Sequence, residues 1–222
     1  MGAHVPSTAQ GVDGIVAVLV LLTELAMLRA PYRHSQVRLY AFQSAVVTAL
    51  TVVVAATQHA GGLYALAGES LVLKVVVIPA VVLRLLRGTE RDLARSTVLG
   101  VPSMILIALG VSAFGFFAIG SLHLRSATLP GTALAVAAAV VLVAFVLIIL
   151  RADVVSQAIG FFSTENGISV ASLMLAAGMP AVAEVSFLFD LLVAVVVFGV
   201  VIRVHHGRSQ TMSTGELDRL RG

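Results

Sequence analysis

Long apolar stretches separated by short polar connections follow one another along the whole chain. A helix needs about 20 apolar residues to cross the roughly 30 Å of hydrocarbon in a bilayer. Seven stretches fit such a span, at residues 12–28, 39–57, 66–86, 98–120, 131–150, 155–177 and 182–204. Turn residues fall between them, with Pro31 in the first connection and Gly61-Gly62 in the second. The pattern predicts an all-α, polytopic membrane protein with seven transmembrane helices.

The positions of the basic residues predict the orientation of these helices. With seven spans, one side of the membrane receives Arg29, Arg33, Arg38, Arg84, Arg87, Arg91, Arg95, Arg151, Arg203, Arg208, Arg219 and Arg221. Arg125 falls on the other side, and Lys74 falls inside the bilayer. Cytoplasmic connections carry an excess of Lys and Arg. We therefore expect the N-terminus outside and the C-terminus in the cytoplasm. With six or eight spans the basic residues would no longer fall on one side of the membrane.

Composition supports a membrane environment and argues against several functions. The chain is 59% hydrophobic and 11% charged, whereas a soluble domain is about 25% charged. Its net charge of +3 comes from bases beside apolar spans, which indicates lipid contact and topology rather than nucleic acid. There is no Cys to ligate iron–sulfur clusters, and no His is paired at metal-ligand spacing. Neither a phosphate-binding loop nor a Ser/His/Asp arrangement is found, so we expect no catalytic centre, cofactor or metal in this chain.

Ionisable residues inside the proposed spans are the candidates for function. They are Glu24, Lys74, Glu165, Glu184 and Asp190. Such residues are costly in a bilayer and usually functional. At about 1.5 Å per residue, Lys74, Glu165 and Asp190 lie roughly 12–15 Å from the nearer end of their spans, near the midplane. Glu184 and Glu24 lie about one turn from span ends, where we expect them to reach water or headgroups.

Two interpretations of the three central residues remain open. In the first, Lys74 forms a buried ion pair with Glu165 or Asp190 that fixes the register of the helices. In the second, the lysine and the carboxylates exchange protons in a hydrated relay. We favour the relay, because one base and two acids leave a surplus negative charge. Pro79 also lacks an N–H, which frees the carbonyl of Val75 beside Lys74 to accept a hydrogen bond.

Several segments resemble the hydrogenase-4 component E family. They are Tyr40-Ala41-Phe42-Gln43-Ser44, Leu73-Lys74-Val75-Val76-Val77-Ile78-Pro79, Gly160-Phe161-Phe162-Ser163-Thr164-Glu165-Asn166-Gly167, Gly178-Met179-Pro180, Glu184-Val185-Ser186-Phe187-Leu188-Phe189-Asp190 and Leu217-Asp218-Arg219-Leu220-Arg221-Gly222. Within the third of these, Gly167 is expected to let a neighbouring helix approach closely. The resemblance covers nearly the whole chain.

The last three spans also resemble the NuoK-type subunit of respiratory complex I, which has a glutamate in each of its second and third helices. By position Glu165 matches the first glutamate. Asp190 has the depth of the second, whereas Glu184 preserves its residue type. The resemblance implies a four-helix membrane extension at 1–130, a NuoK-like three-helix module at 131–205 and a short cytoplasmic tail at 206–222. It also implies a proton relay of Lys74, Glu165, Asp190 and Glu184.

The family resemblance implies a membrane-arm subunit of a group 4 [NiFe]-hydrogenase or formate hydrogenlyase-like complex in a bacterial cytoplasmic membrane. The [NiFe] centre and iron–sulfur clusters would belong to peripheral partner subunits of this oxidoreductase. Antiporter-like subunits would be its membrane partners, and this chain would contribute a link to their lateral proton path. Two alternatives are a subunit of a multi-subunit cation/proton antiporter and a purely structural scaffold that docks antiporter-like subunits.

Overall fold

The structure, a computed structural model, describes residues 7–59, 61–86, 94, 99–121, 131–175 and 199. This part of the chain is helical apart from its short connections. Its helices are α1 (Ser7–Arg29), α2 (Arg33–Gln58), α3 (Gly61–Leu86), α4 (Val101–Ser121), α5 (Gly131–Leu150) and α6 (Val154–Leu175). They correspond to the first six predicted spans. The seventh predicted span, 182–204, and the tail, 206–222, lie outside the described residues.

The apolar character of the helices fits a membrane. Within the described residues, three helical segments are long and apolar enough to cross one, namely Arg33–Thr57, Gly61–Leu86 and Val101–Ser121, and Leu134–Leu150 is a shorter apolar helix. Large apolar side chains also cover the outer surface, among them Ile15, Leu22, Leu106, Phe114, Phe117 and Ile149. In water so much exposed apolar area would be unfavourable, whereas lipid is a good solvent for it. The count of seven spans and their orientation remain predictions.

The turn between α2 and α3 differs from the prediction. Gly61 and Gly62 were expected to form it, but they are the first residues of α3. Instead, His59 takes the left-handed conformation, with φ 52° and ψ 32°, and its backbone N–H bonds to the carbonyl of Ala55. A left-handed residue after the last helical turn is a common way to end a helix. The predicted turn at Pro31 is confirmed, since it separates α1 from α2.

Helix α5 packs against α1, α4 and α6. Helix α2 contacts α1, α3 and α6. Two glycines of α6 permit the close approach to α5, because a Cβ on Gly160 would lie 2.6 Å from Ile148 Cγ1, and one on Gly167 would lie 2.8 Å from Val141 Cγ2. The expected close approach at Gly167 is therefore confirmed. It fixes the position of α6, which carries Ser163, Glu165 and Asn166 of the candidate site.

Candidate functional site

Lys74 and Glu165 meet in the interior of the bundle. The Lys74 ammonium donates a hydrogen bond to Glu165 Oε1, and the pair joins α3 to α6. Their side chains are only 5% and 3% exposed. The Ser169 hydroxyl, one turn further along α6, lies 3.4 Å from the same carboxylate oxygen. Two residues that the sequence placed at one depth are thus in direct contact, as a buried ion pair.

The local helix geometry around Lys74 is unusual. Residues Leu71–Val77 form a π-helical segment in the middle of α3, and Lys74 lies at its centre. The segment ends where Ile78 N–H bonds to the carbonyl of Leu73, five residues earlier. Pro79 follows directly. It has no N–H to donate to the carbonyl of Val75, so the regular i to i−4 hydrogen bonding of the helix is interrupted there. Such wide turns inside α-helices are often found at functional sites.

Glu24 of α1 is placed differently from the prediction. It was expected to reach water or headgroups, but its side chain is fully buried. Glu24 Oε2 accepts a hydrogen bond from Gln43 Nε2, at 2.9 Å, and is in hydrogen-bonding contact with the Ser163 hydroxyl. Its other oxygen, Oε1, is buried without a hydrogen-bond partner among the described residues. The expectation was wrong because depth along one helix does not reveal which neighbouring helices cover its faces.

Gln43 of α2 is the centre of this hydrogen-bond network. Its amide nitrogen also donates to the carbonyl of Val20, at 3.2 Å. Its amide oxygen accepts from Ser163 Oγ at 2.9 Å and from Asn166 Nδ2 at 3.0 Å. Asn166 Nδ2 also lies 2.9 Å from Ser44 Oγ. The side chains of Glu24, Gln43, Ser44, Ser163 and Asn166 therefore connect α1, α2 and α6 without contact with solvent.

These groups form a polar layer between two apolar clusters. We define the polar layer as Glu24, Gln43, Ser44, Lys74, Ser163, Glu165 and Asn166. One cluster includes Met27, Tyr40, Ile78, Val143 and Phe162. The other includes Val20, Val47, Val140 and Val170. Along α1, α2 and α6, one apolar cluster lies before the polar layer and the other lies after it. Apolar packing therefore separates the polar layer from both ends of these helices.

A second group of polar contacts lies at the end of the bundle where α1 and α5 terminate. The Arg151 guanidinium donates to the carbonyls of Leu28 at 2.6 Å, Ala30 at 3.1 Å and Ala94 at 2.7 Å. Burial lowers the pKa of Arg151, while the nearby charge of Asp153 raises it. Carbonyls at the C-terminal end of α1 are natural partners for a cation, because the helix leaves them without N–H donors.

Asp153 directly precedes α6 and has two roles in that group. Its Oδ1 accepts a hydrogen bond from the backbone N–H of Ser156, at 2.9 Å, which caps the helix. The same oxygen pairs with Arg33 Nε at 3.2 Å. One turn inwards, Ser156 Oγ donates to Gln36 Oε1 at 2.6 Å, so α2 and α6 are also joined by neutral side chains. This group fixes the ends of the helices that carry the polar layer.

The structure brings together two of the four residues predicted for the relay. Lys74 and Glu165 are in contact, whereas Glu184 and Asp190 lie outside the described residues. In the part of the chain that is described, no three His, Cys, Asp or Glu residues are placed to hold a metal ion. Sequence reasoning missed the network around Glu24. The signal was present in the family-like segments, which contain Gln43, Ser163 and Asn166.

Comparisons with known proteins give relatives of nearly the same length. An uncharacterised protein of Mycobacterium tuberculosis is 30% identical over 213 residues, which cover 95% of this chain and 94% of that protein. The hydrogenase-4 component E of Escherichia coli K12 is 24% identical over 207 residues, which cover 93% of this chain and 96% of that protein. A protein of the same description from Shigella flexneri matches equally well. No protein-family model and no solved structure matches the chain.

Proposed function

Since the chain belongs to the hydrogenase-4 component E family, we propose that it is a non-catalytic membrane-arm subunit of a hydrogenase-type complex. The complex would be of the group 4 [NiFe]-hydrogenase or formate hydrogenlyase kind, in a bacterial cytoplasmic membrane. Its [NiFe] centre and iron–sulfur clusters would be held by peripheral subunits, and antiporter-like subunits would be the membrane neighbours. The support is the similarity to a hydrogenase component over nearly the whole chain, together with the apolar helices.

Within that complex, we propose that the chain carries protons between neighbouring membrane subunits. The observation that carries this proposal is the buried Lys74–Glu165 pair, which joins two helices at the level of the polar layer. Ionisable groups are costly to place inside a membrane. Those that are found in a membrane domain therefore usually belong to an ion or proton pathway. The π-helical segment and the polar neighbours of Glu165 make the surroundings of the pair more polar than the apolar clusters on either side.

The proposed chemical step is a proton exchange between the two partners. When the Lys74 ammonium gives its proton to the Glu165 carboxylate, a neutral amine and a neutral carboxylic acid remain. In a low-dielectric interior neither the charged pair nor the neutral pair leaves an uncompensated charge. A proton can therefore be taken up by one partner of the pair and another released from the second partner. Asp190 and Glu184 are proposed to continue the path, with residues 131–205 acting as the NuoK-like module.

A scaffold function is the second candidate, and the same ion pair favours it. A buried pair fixes the register of two helices without any transfer of protons. The Arg151 contacts would serve the same purpose at the end of the bundle. The two functions respond differently when only one charge of the pair is removed: a scaffold fails to assemble, whereas a relay assembles but does not translocate protons.

The decisive experiment compares Glu165→Gln with a neighbouring control. Thr164→Val is a suitable control, because the Thr164 hydroxyl bonds to the carbonyl of Gly160 in its own helix. The complex is isolated through a tag on this chain, and proton translocation is measured during electron transfer in sealed vesicles. We expect Glu165→Gln to lose proton translocation with assembly retained, and Thr164→Val to behave as the native protein. Normal translocation by Glu165→Gln would overturn the relay.

A double variant guards against failed assembly of Glu165→Gln, in which the Lys74 ammonium loses the carboxylate of Glu165. Lys74→Gln with Glu165→Gln replaces the charged pair by two amides that can bond to each other. We expect it to assemble without translocating protons. If the double variant assembles and translocates protons normally, the chain is a scaffold.

Isolation of the complex also tests the antiporter alternative. Copurification of nickel- and iron–sulfur-containing subunits supports the hydrogenase-type assembly. Copurification of antiporter-like subunits alone, from membranes that contain the other subunits, would instead make this chain part of a cation/proton antiporter.

A further inference from the structure

Glu24 is a buried carboxyl group in an environment unlike that of Glu165. It is 0% exposed, and its contacts are Gln43 Nε2 at 2.9 Å and the Ser163 hydroxyl. Both are neutral, and within the described residues no Lys or Arg contacts it. Its oxygen Oε1 has no partner there. An ionised carboxylate in this place would be a buried charge without a counterion, which proteins avoid.

The hydrogen-bond pattern around Ser163 requires one hydrogen more than Ser163 supplies. Ser163 Oγ contacts two oxygens, Glu24 Oε2 and Gln43 Oε1, the second at 2.9 Å. Each of these contacts needs a hydrogen between the two oxygens, and the serine hydroxyl has only one. The second hydrogen must come from Glu24 or Gln43.

The orientation of the Gln43 amide excludes Gln43 as its source. Its nitrogen faces the carbonyl of Val20, an acceptor, and its oxygen faces Asn166 Nδ2, a donor. Turning the amide over would place oxygen against oxygen at Val20 and nitrogen against nitrogen at Asn166. The remaining hydrogen therefore belongs to Glu24. The carboxylic acid donates to Ser163, and Ser163 donates to Gln43.

We propose that Glu24 is a second proton-carrying carboxyl group of this membrane domain, neutral at rest and in exchange with the Lys74–Glu165 pair. The inference rests on the proposed function and extends it to a residue on α1. Ser163 and Glu165 are two residues apart on α6, so the two carboxyl groups lie at one level of that helix but against different faces of it. Both lie in the polar layer between the apolar clusters.

The proton balance of the exchange is simple. The O–H bond of Glu24 breaks, and its proton passes to the Glu165 carboxylate, which becomes neutral. The carrier is a water molecule that enters the closed polar layer during turnover. The Ser163 hydroxyl then rotates from Gln43 Oε1 to Glu24 Oε2. The new carboxylate keeps two donors, Ser163 and Gln43 Nε2. Ser163 thus stabilises either protonation state of Glu24 by changing its acceptor.

Infrared spectroscopy of the isolated complex tests the resting state. In Glu24→Gln the amide oxygen can take the place of Glu24 Oε2 and accept from Gln43 Nε2 and from the Ser163 hydroxyl, while the side chain cannot ionise. The matched control is Thr23→Val, since the Thr23 hydroxyl bonds to the carbonyl of Val20 in its own helix. We expect Glu24→Gln to lose a protonated-carboxyl C=O band at neutral pH, and the control to keep it. Loss of a carboxylate band instead would overturn the proposal.

Proton translocation then tests the exchange, measured in parallel for Glu24→Gln and Glu165→Gln. Loss in both variants, with electron transfer retained, is the expected result. Loss in Glu165→Gln alone overturns the inference and leaves the proposed function standing. Normal translocation in both overturns the two together.

Ser163→Ala provides the second variant in case Glu24→Gln does not assemble. It keeps the carboxyl group and removes the hydrogen bond between Glu24 and Ser163. We expect the protonated-carboxyl band to shift in frequency. An unchanged band would mean that it does not arise from Glu24, and would overturn the proposal.

Discussion

The Lys74 ammonium of α3 and the Glu165 carboxylate of α6 form an ion pair across the interior of the bundle, 91 residues apart in the chain. Apolar clusters lie on both sides of the layer that contains them. The pair is therefore shielded from water, and its two charges compensate each other. A buried pair of this kind responds very differently to the loss of one partner and to the loss of both.

A comparison of single and double variants of this pair gives the first prediction. Lys74→Met should lower the free energy of unfolding by about 3–5 kcal/mol, because it leaves a buried carboxylate without its cation. Lys74→Met combined with Glu165→Leu should recover most of this loss, since both charges of the pair are then removed together. Unfolding in mixed detergent micelles measures both. Equal stability of the single and double variants would show that the pair is not coupled.

The contact between α5 and α6 gives the second prediction. Gly167→Ala places a methyl group 2.8 Å from Val141 Cγ2 and 3.2 Å from the backbone nitrogen of Val141. Because the backbone cannot move aside without displacing α5, we expect a destabilisation of about 1–3 kcal/mol. Gly110→Ala in α4 is the matched control, as nothing lies within 4 Å of its added Cβ. A similar melting temperature for both variants would contradict the close packing of these helices.

The guanidinium of Arg151 gives the third prediction. Arg151→Lys keeps the positive charge but loses the fork that reaches the carbonyls of Leu28, Ala30 and Ala94 together. We expect a loss of at least about 1.5 kcal/mol, which corresponds to one hydrogen bond to a charged group. Arg38→Lys, at an exposed arginine, should change stability little. Thermal unfolding compares the two, and an unaffected Arg151→Lys would mean that charge alone matters there.

The start of α6 gives the fourth prediction. Asp153→Ala removes both the cap on Ser156 N–H and the ion pair with Arg33, whereas Asp153→Asn can keep the cap. Loss of an N-cap costs about 0.5–2 kcal/mol. Loss of the ion pair with Arg33, whose side chains are 12% and 11% exposed, adds to this cost. We therefore expect Asp153→Ala to be the less stable variant, and the reverse order in chemical unfolding would exclude capping as the main role.

Much of the helical architecture follows from local sequence. Apolar stretches of sufficient length predicted the six described helices, because a bilayer span needs a minimum apolar length. Pro31 was correctly predicted as a turn. Gly61 and Gly62 were not, since glycine tolerates helical as well as turn conformations and His59 takes the left-handed position instead. Local sequence therefore predicted the existence of helices better than their ends.

The candidate site was predicted in part. Lys74 and Glu165 were recognised because ionisable residues are rare inside apolar spans, and their depth suggested that they could meet. The sequence left open whether Glu165 or Asp190 pairs with Lys74, and the structure shows the contact with Glu165. Glu24 was misjudged as accessible. Gln43 and Ser163 were noticed only as parts of a familiar segment, because neutral polar residues carry little signal of their own.

By itself, the sequence determined which segments are helices and which residues carry charge into the apolar interior. The tertiary structure decided which of those residues are buried and which side chains contact them. Glu24 and Ser163 are 139 residues apart, yet they share a hydrogen bond because α1 and α6 pack with these faces together. Depth along a helix is a property of one segment, and sequence can supply it. The partner of a buried side chain depends on which face of the helix meets which neighbour, and only the packing of several helices fixes that.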